Sequence, residues 1–203
     1  MKRSVWGFVL MIVAIPVMAY SILMWYQRDH GSLPLYGPPD HKISDFNLKN
    51  QNGKSITLSQ WKDKIVVVNF FFTSCPSICP KMAKNLKRLL DEIPNKESVE
   101  VNSITVDPGK DDITRLKSYA TKYNAPVNWN FLTGDKREIY KLARNSFRVV
   151  ATDGDGGEFD FIHSEKLILV DKLLQIRGIY DGTDETQVNL LLNDLRKLQS
   201  SNK

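Results

Sequence analysis

Residues 65–82 read Ile-Val-Val-Val-Asn-Phe-Phe-Phe-Thr-Ser-Cys-Pro-Ser-Ile-Cys-Pro-Lys-Met, or IVVVNFFFTSCPSICPKM. Ile65 to Phe72 form a nearly unbroken apolar run, β-branched at the start and aromatic at the end. Such a run fits a strand buried on both faces, as in a parallel sheet. After Pro80, Met82, Leu86, Leu89, Leu90 and Ile93 recur at helical spacing. Between strand and helix stand Cys75 and Cys79, the only two cysteines of the 203 residues. A short loop from a buried strand into a helix is where open α/β sheets place their sites.

The alternation continues outward from this stretch. Upstream, Ile43 to Trp61 carries alternating apolar residues around Asn52-Gly53, the signature of a hairpin. Downstream, Val99 to Val106 reads as a strand, and Asp111 to Tyr123 as a helix with Asp111 and Asp112 suited to its start. Asp135 to Asn145 reads as a further helix, and Phe147 to Thr152 and Phe159 to Ile162 as strands. Leu167 to Asp171 and Gln175 to Tyr180 form a hairpin, and Thr186 to Leu198 a closing amphipathic helix. The order βαβα followed by ββα predicts a thioredoxin-like α/β fold: a central mixed sheet, with an antiparallel edge, flanked by helices.

The cysteine spacing is Cys-x-x-x-Cys, so on a helix both sulfurs lie on one face. A thiolate at a helix N-terminus meets unsatisfied N–H groups and the positive end of the dipole, which lowers its pKa. Pro76 and Pro80 fix φ locally, and Pro80 suits a first helical turn. A structural disulfide here would close too small a loop to restrict the unfolded chain much. The flanking prolines and the strand-end position argue against two cysteines serving as small apolar packing. A redox pair and a soft-metal site both stay open. Two thiolates suit Cu(I) above all, with Zn(II) next, although structural zinc wants four ligands.

A third ligand would come from the three histidines. His30 and His41 fall in a Gly- and Pro-rich stretch, where solvated linker positions are the default. His163 precedes a hairpin strand, and in a thioredoxin-like fold the loop entering that strand faces the cysteine motif. The ordinary role for such a residue is a hydrogen-bonded core histidine.

Four segments resemble the Sco/SenC family of membrane-tethered, copper-binding, thioredoxin-like proteins. FFFTSCPSICPKM (70–82) looks like its Cys-Pro-x-x-Cys-Pro segment, and ITVDPGKDD (104–112) its Val-Asp-Pro segment. WNFLTGDKREIYKLARNSFRV (129–149) is similar to its Leu-Thr-Gly helix, and IHSEKLILVD (162–171) to its His-Ser strand. The resemblance spans roughly Gly37 to Leu198. It implies Cys75, Cys79 and His163 as copper ligands, with Asp107 a nearby polar residue. It also implies a copper metallochaperone for the binuclear copper centre of cytochrome c oxidase, working with that oxidase's copper-bearing subunit, a copper donor and a thiol reductant. Cu(I) is the expected ion, and Cu(II) binding is left open. Departures occur at Ser77, at Gly109-Lys110 and at Lys172-Leu173-Leu174; none touches the three ligands. The alternative function is a thiol–disulfide reductase that keeps the oxidase's copper-ligand cysteines reduced, needing Cys75 and Cys79 but not His163. A metallochaperone is not an enzyme, and only that alternative would make this chain one.

The N-terminus adds a location. Val5 to Tyr26 is 22 residues without a charge, and about 20 apolar residues cross a bilayer as a helix. Lys2 and Arg3 precede the run, so the positive-inside rule keeps residues 1–4 cytoplasmic and sends the rest across. The expected organisation is a single-pass anchor at 5–26, a linker at 27–41 and the thioredoxin-like domain at 42–203. A cleaved signal peptide ending at Val17-Met18-Ala19 is the rival, with Pro16 breaking the helix before it. The segment lacks the Arg- and Ser-rich character of a transit peptide, which points to a bacterial inner membrane with the domain facing the periplasm or exterior. The net charge of +5, from 28 basic and 23 acidic residues, is mild and unclustered, which speaks against a nucleic-acid partner.

Overall fold

The computed structural model describes residues 2–29, 33–38, 41–148 and 164–200, with the side chains of the first helix described for residues 12–25. The chain divides into two units, residues 1–33 and Pro34–Lys203.

The first unit is one helix, α1 (Lys2–Asp29), which runs unbroken through Pro16. Its described side chains are exposed all round, from Ile12 and Val13 through Met18 and Tyr20 to Trp25. Among the described residues no helix is long and apolar enough to cross a membrane.

The second unit opens with the expected hairpin, β1 (Asn47–Asn50) and β2 (Ser55–Thr57). β3 (Ile65–Phe71) leads into α2 (Ile78–Glu92), then β4 (Val99–Thr105) and α3 (Ile113–Lys122). β5 (Trp129–Thr133) and α4 (Lys136–Lys141) follow, the latter extended by a π-turn over Leu142–Ser146. β6 (Lys166–Val170), β7 (Ile176–Asp181) and α5 (Glu185–Ser200) close the fold. The strands form one mixed sheet in the order β2-β1-β5-β4-β3-β6-β7.

β3 is buried at every residue because it lies between β4, parallel to it, and β6, antiparallel to it. That position explains a run with no polar alternation. Val66, Val68 and Phe70 face a core with Ile139, Tyr140 and Phe147 of the α4 region, where Trp61 meets Phe46 at 4.8 Å between ring centroids. On the opposite face, Phe71 meets Tyr119 of α3 at 5.2 Å and Phe131 at 5.5 Å. There α2 buries Met82, Leu86, Leu89 and Leu90.

Three features differ from the sequence expectations. β5 is a full member of the sheet, parallel to β4 and antiparallel to β1, where the sequence showed only the approach to a helix. Its polar Asn130 breaks the apolar pattern; in the fold that residue accepts from Asn50 Nδ2 at 3.1 Å, and Gln51 Oε1 accepts the Phe131 N–H at 2.8 Å. Phe147 and Arg148 are not strand, because the π-turn carries the helical path to Ser146. The remainder of that expected strand, and all of Phe159 to Ile162, lie outside the described residues. Lastly, His41 is not a solvated linker residue: it is half-buried and its Nε2 donates to the Ser146 carbonyl at 2.6 Å. The chain is already seated on the domain at Tyr36, whose N–H donates to the Ile176 carbonyl at 2.9 Å.

The β6–β7 turn, at Lys172-Leu173-Leu174, contains no glycine. Leu174 takes the left-handed φ of 62°, a strained position for a branched side chain. Asp171 holds it there, its Oδ1 accepting from the N–H groups of Leu173 and Gln175, both at 2.9 Å.

Candidate metal centre

The loop between β3 and α2 delivers the two cysteines to one place. α2 begins at Ile78, two residues before Pro80, so Cys79 belongs to its first turn. Pro80 then also sits in the first turn, where its missing N–H costs nothing. Ser77 stands at the cap position without a side-chain capping bond. The first N–H groups of a helix need partners, and one partner here is a sulfur: Cys75 Sγ accepts the Cys79 N–H at 3.4 Å. The Cys75 N–H in turn donates to the Phe72 carbonyl at 3.2 Å.

Both cysteines are free thiols, Cys75 half-exposed and Cys79 buried. Partial burial pushes the Cys75 thiol up, but the N–H groups of Cys79, Ser77 and Ile78 outweigh it and hold the thiol below its ordinary value. Cys79 goes the other way. Burial, reinforced by the neighbouring Cys75 sulfur, pushes it up to about 12. Beneath Cys79 lie Phe71, Ala83, Leu86, Tyr119 and Phe131, around a cavity of about 10 Å³, room for about one water. Burial, and then Tyr123 and the cysteines, push the Tyr119 phenol up as well.

Asp107 follows β4 on the neighbouring loop, paired with Lys110 Nζ at 3.3 Å. His163 lies outside the described residues, and among those described no group of three or more His, Cys, Asp or Glu is placed to hold a metal ion. The described donors are therefore two thiols on one helix start. They fit a soft, low-coordinate ion such as Cu(I), and do not fit a hard cation that demands oxygen ligands.

Asp111, whose carboxylate accepts from the Thr73 N–H and hydroxyl, reads from the sequence only as a helix-start acid, yet Asp112 is the residue that caps α3, accepting the Arg115 N–H at 2.7 Å. Two adjacent acids where one suffices for the cap is the signal that could have singled out Asp111.

The SCO1/SenC family model matches residues 36–199. The SCO1 protein homolog of Bacillus subtilis (strain 168) is 29% identical over 170 residues, spanning 82% of this chain and 87% of that protein. Two solved structures share the fold. BsSco, described as a member of the Sco family of cytochrome c oxidase assembly proteins with a disulfide switch, is 29% identical with a TM-score of 0.69, covering 82% of this chain and 98% of that one. Bradyrhizobium japonicum ScoI with copper bound is 25% identical with a TM-score of 0.64, covering 77% of this chain and 99% of that one.

Proposed function

The chain belongs to the SCO1/SenC family, and on that premise we propose that it is a membrane-anchored copper metallochaperone. Cys75, Cys79 and His163 bind Cu(I), and the protein passes the ion to the copper-bearing subunit of cytochrome c oxidase during assembly. The observation that carries the reading is the sulfur pair: two free thiols, Cys75 in the loop before α2 and Cys79 in its first turn, joined by the 3.4 Å contact from the Cys79 N–H to Cys75 Sγ. Two thiolates and one imidazole make a soft donor set, which remains open to a partner on the exposed side of Cys75.

Topology supports His163 as the third donor. β6 runs antiparallel beside β3 with Leu167 opposite Asn69, so the chain enters β6 at the end of the sheet where β3 delivers the cysteines. His163 is three residues before Lys166, the first residue of β6. Among the relatives, ScoI holds copper, and BsSco is a protein of oxidase assembly. Copper enters only when both thiols are reduced and deprotonated, so a thiol reductant and a copper donor belong to the cycle. Titration of the reduced chain with Cu(I) against a chromophoric chelator tests the assignment. One ion per chain is expected, lost once N-ethylmaleimide blocks the thiols; binding that survives the block contradicts it.

The anchor is part of the proposal. A helix whose described side chains are exposed on every side and, Ser21 apart, carry no polar group but the Tyr20 hydroxyl and the Trp25 N–H has the pattern of a segment that meets lipid. Its helical backbone covers all of Val5 to Tyr26 and continues through Pro16, where the signal-peptide alternative expects a break. With Lys2 and Arg3 on the cytoplasmic side, the domain faces the periplasm or cell exterior. Full-length protein is expected in carbonate-washed membranes. Recovery of only a soluble form starting near Tyr20 contradicts the anchor.

A second reading, thiol–disulfide reductase, draws on the asymmetry of the pair. An accessible thiol with lowered pKa and a buried partner is the arrangement of an attacking and a resolving cysteine.

A further inference from the structure

Asp111 has no solvent exposure, and a buried carboxylate persists only where donors surround it. Its oxygens accept from the Thr73 N–H at 3.0 Å, the Thr73 hydroxyl at 2.5 Å and the Thr105 hydroxyl at 2.6 Å. The Thr73 hydroxyl, its proton given to Asp111, accepts from Arg115 Nε at 2.7 Å. The Arg115 Nε itself lies 3.7 Å from the carboxylate. These charge-assisted bonds tie together three chain segments: the loop leaving β3, the last residue of β4 and the start of α3. Phe71 and Thr105, the final residues of β3 and β4, already pair in the sheet. Asp111 extends that pairing two residues beyond Phe71, to Thr73.

We infer that Asp111 is a positioning residue for the cysteine loop, holding Thr73 against Thr105 so that Cys75 Sγ stays over the first turn of α2. The loop is short, running from Phe72 to Ser77 between β3 and α2. Its far end is fixed by the helix, and its near end by this clamp. Cys75 lies two residues from the clamped Thr73. Releasing Thr73 frees Cys75 Sγ to leave the Cys79 N–H, and the distance between the two sulfurs is no longer set before copper or a disulfide forms. The inference deepens the copper reading in its metal arm, and it stands apart from that reading in its redox arm.

Full-length Asp111→Asn, Thr73→Val, Arg115→Gln and the Asp111→Asn/Thr73→Val double variant test it. Asparagine keeps the shape but cannot accept all three bonds, because its NH₂ group only donates. Cu(I) affinity is read by chelator competition. Asp111→Asn is expected to lower it by about 10-fold, the lower end of the cost of losing a direct outer partner of a metal ligand, because Asp111 acts on Cys75 through Thr73. The double variant is expected to bind no more weakly than Asp111→Asn, since both changes cut the same link. The second readout is equilibration with glutathione. One Cys75–Cys79 disulfide and two glutathione thiols exchange for two cysteine thiols and one glutathione disulfide. That equilibrium constant is expected to move by about threefold or more, roughly 15 mV.

Folded variants that match the parent in both readouts overturn the inference. If Asp111→Asn does not fold, Thr73→Val and Arg115→Gln decide it, because Thr73 is half-exposed and Arg115 is exposed; parental values in both overturn it. If the parent itself binds no Cu(I), the copper reading falls, and the glutathione equilibrium alone decides the role of Asp111.

Discussion

Near neutral pH, Cys75 in the reduced chain is expected to react with iodoacetamide at least about 50-fold faster than Cys79. Cys79 is pushed up to about 12 by burial and the adjacent sulfur, whereas Cys75 is held below its ordinary value of 9.0. A separation of at least about 3 pH units makes the thiolate populations differ by about 1,000-fold. The more basic thiolate is the better nucleophile, and a Brønsted slope of about 0.4–0.5 returns roughly 20-fold to Cys79. About 50-fold remains, before any penalty for reaching a buried sulfur. The Cys75 rate should pass its half-maximum below pH 9, and the Cys79 rate should still be climbing there. Peptide mapping with isotopically distinct reagents measures both initial rates in one sample. Equal rates, or modification of Cys79 first, contradict this account of the loop.

His163→Ala is expected to weaken Cu(I) binding by more than about 100-fold, beyond the roughly 10–100-fold that a lost outer partner costs. The dithiol remains, so residual two-sulfur binding should persist. Iodoacetamide reactivity at Cys75 should stay within a few-fold of the parent, because the N–H groups that hold its pKa down come from Cys79, Ser77 and Ile78. The same variant separates the two functional readings. A metallochaperone lacking His163 should fail to restore oxidase activity in a strain deleted for the parent gene. A reductase should restore it fully, since electron transfer needs only the two cysteines.

Legibility in the sequence tracked how local each determinant was. β3 and α2 were readable because a continuous apolar run and a helical stripe each report burial directly. Pro76 and Pro80 marked the loop between them. Pro80 sits in the first turn of α2, as its chemistry suggests, but the start at Ile78 carries no sequence signal, because Ser77 does not cap it and a sulfur accepts the Cys79 N–H instead. β5 escaped notice because Asn130 looks wrong for a buried strand until Asn50, 80 residues away, is beside it. Asp111 escaped for the same reason: its principal partner, Thr73, is 38 residues upstream. His41 looked like linker because its partner, the Ser146 carbonyl, is 105 residues downstream. His163 is a candidate on resemblance and on the direction of β6, and lies outside the described residues.

Two of the three departures from the family pattern are exposed: Ser77, which ends the loop that carries Cys75, and Gly109-Lys110. The third, Lys172-Leu173-Leu174, is the β6–β7 turn, at the far end of β6 from that loop. Loops of this kind choose partners while the scaffold holds the chemistry. None of these changes falls on the three proposed ligands, Cys75, Cys79 and His163.

The central claim is that Cys75, Cys79 and His163 hold one Cu(I). X-ray absorption spectroscopy of the Cu(I)-loaded full-length chain, with His163→Ala alongside, tests it most directly. Two sulfur donors and one imidazole nitrogen are predicted for the parent, and two sulfurs without the imidazole for the variant. An unchanged ligand shell and unchanged affinity in His163→Ala would contradict the three-ligand site.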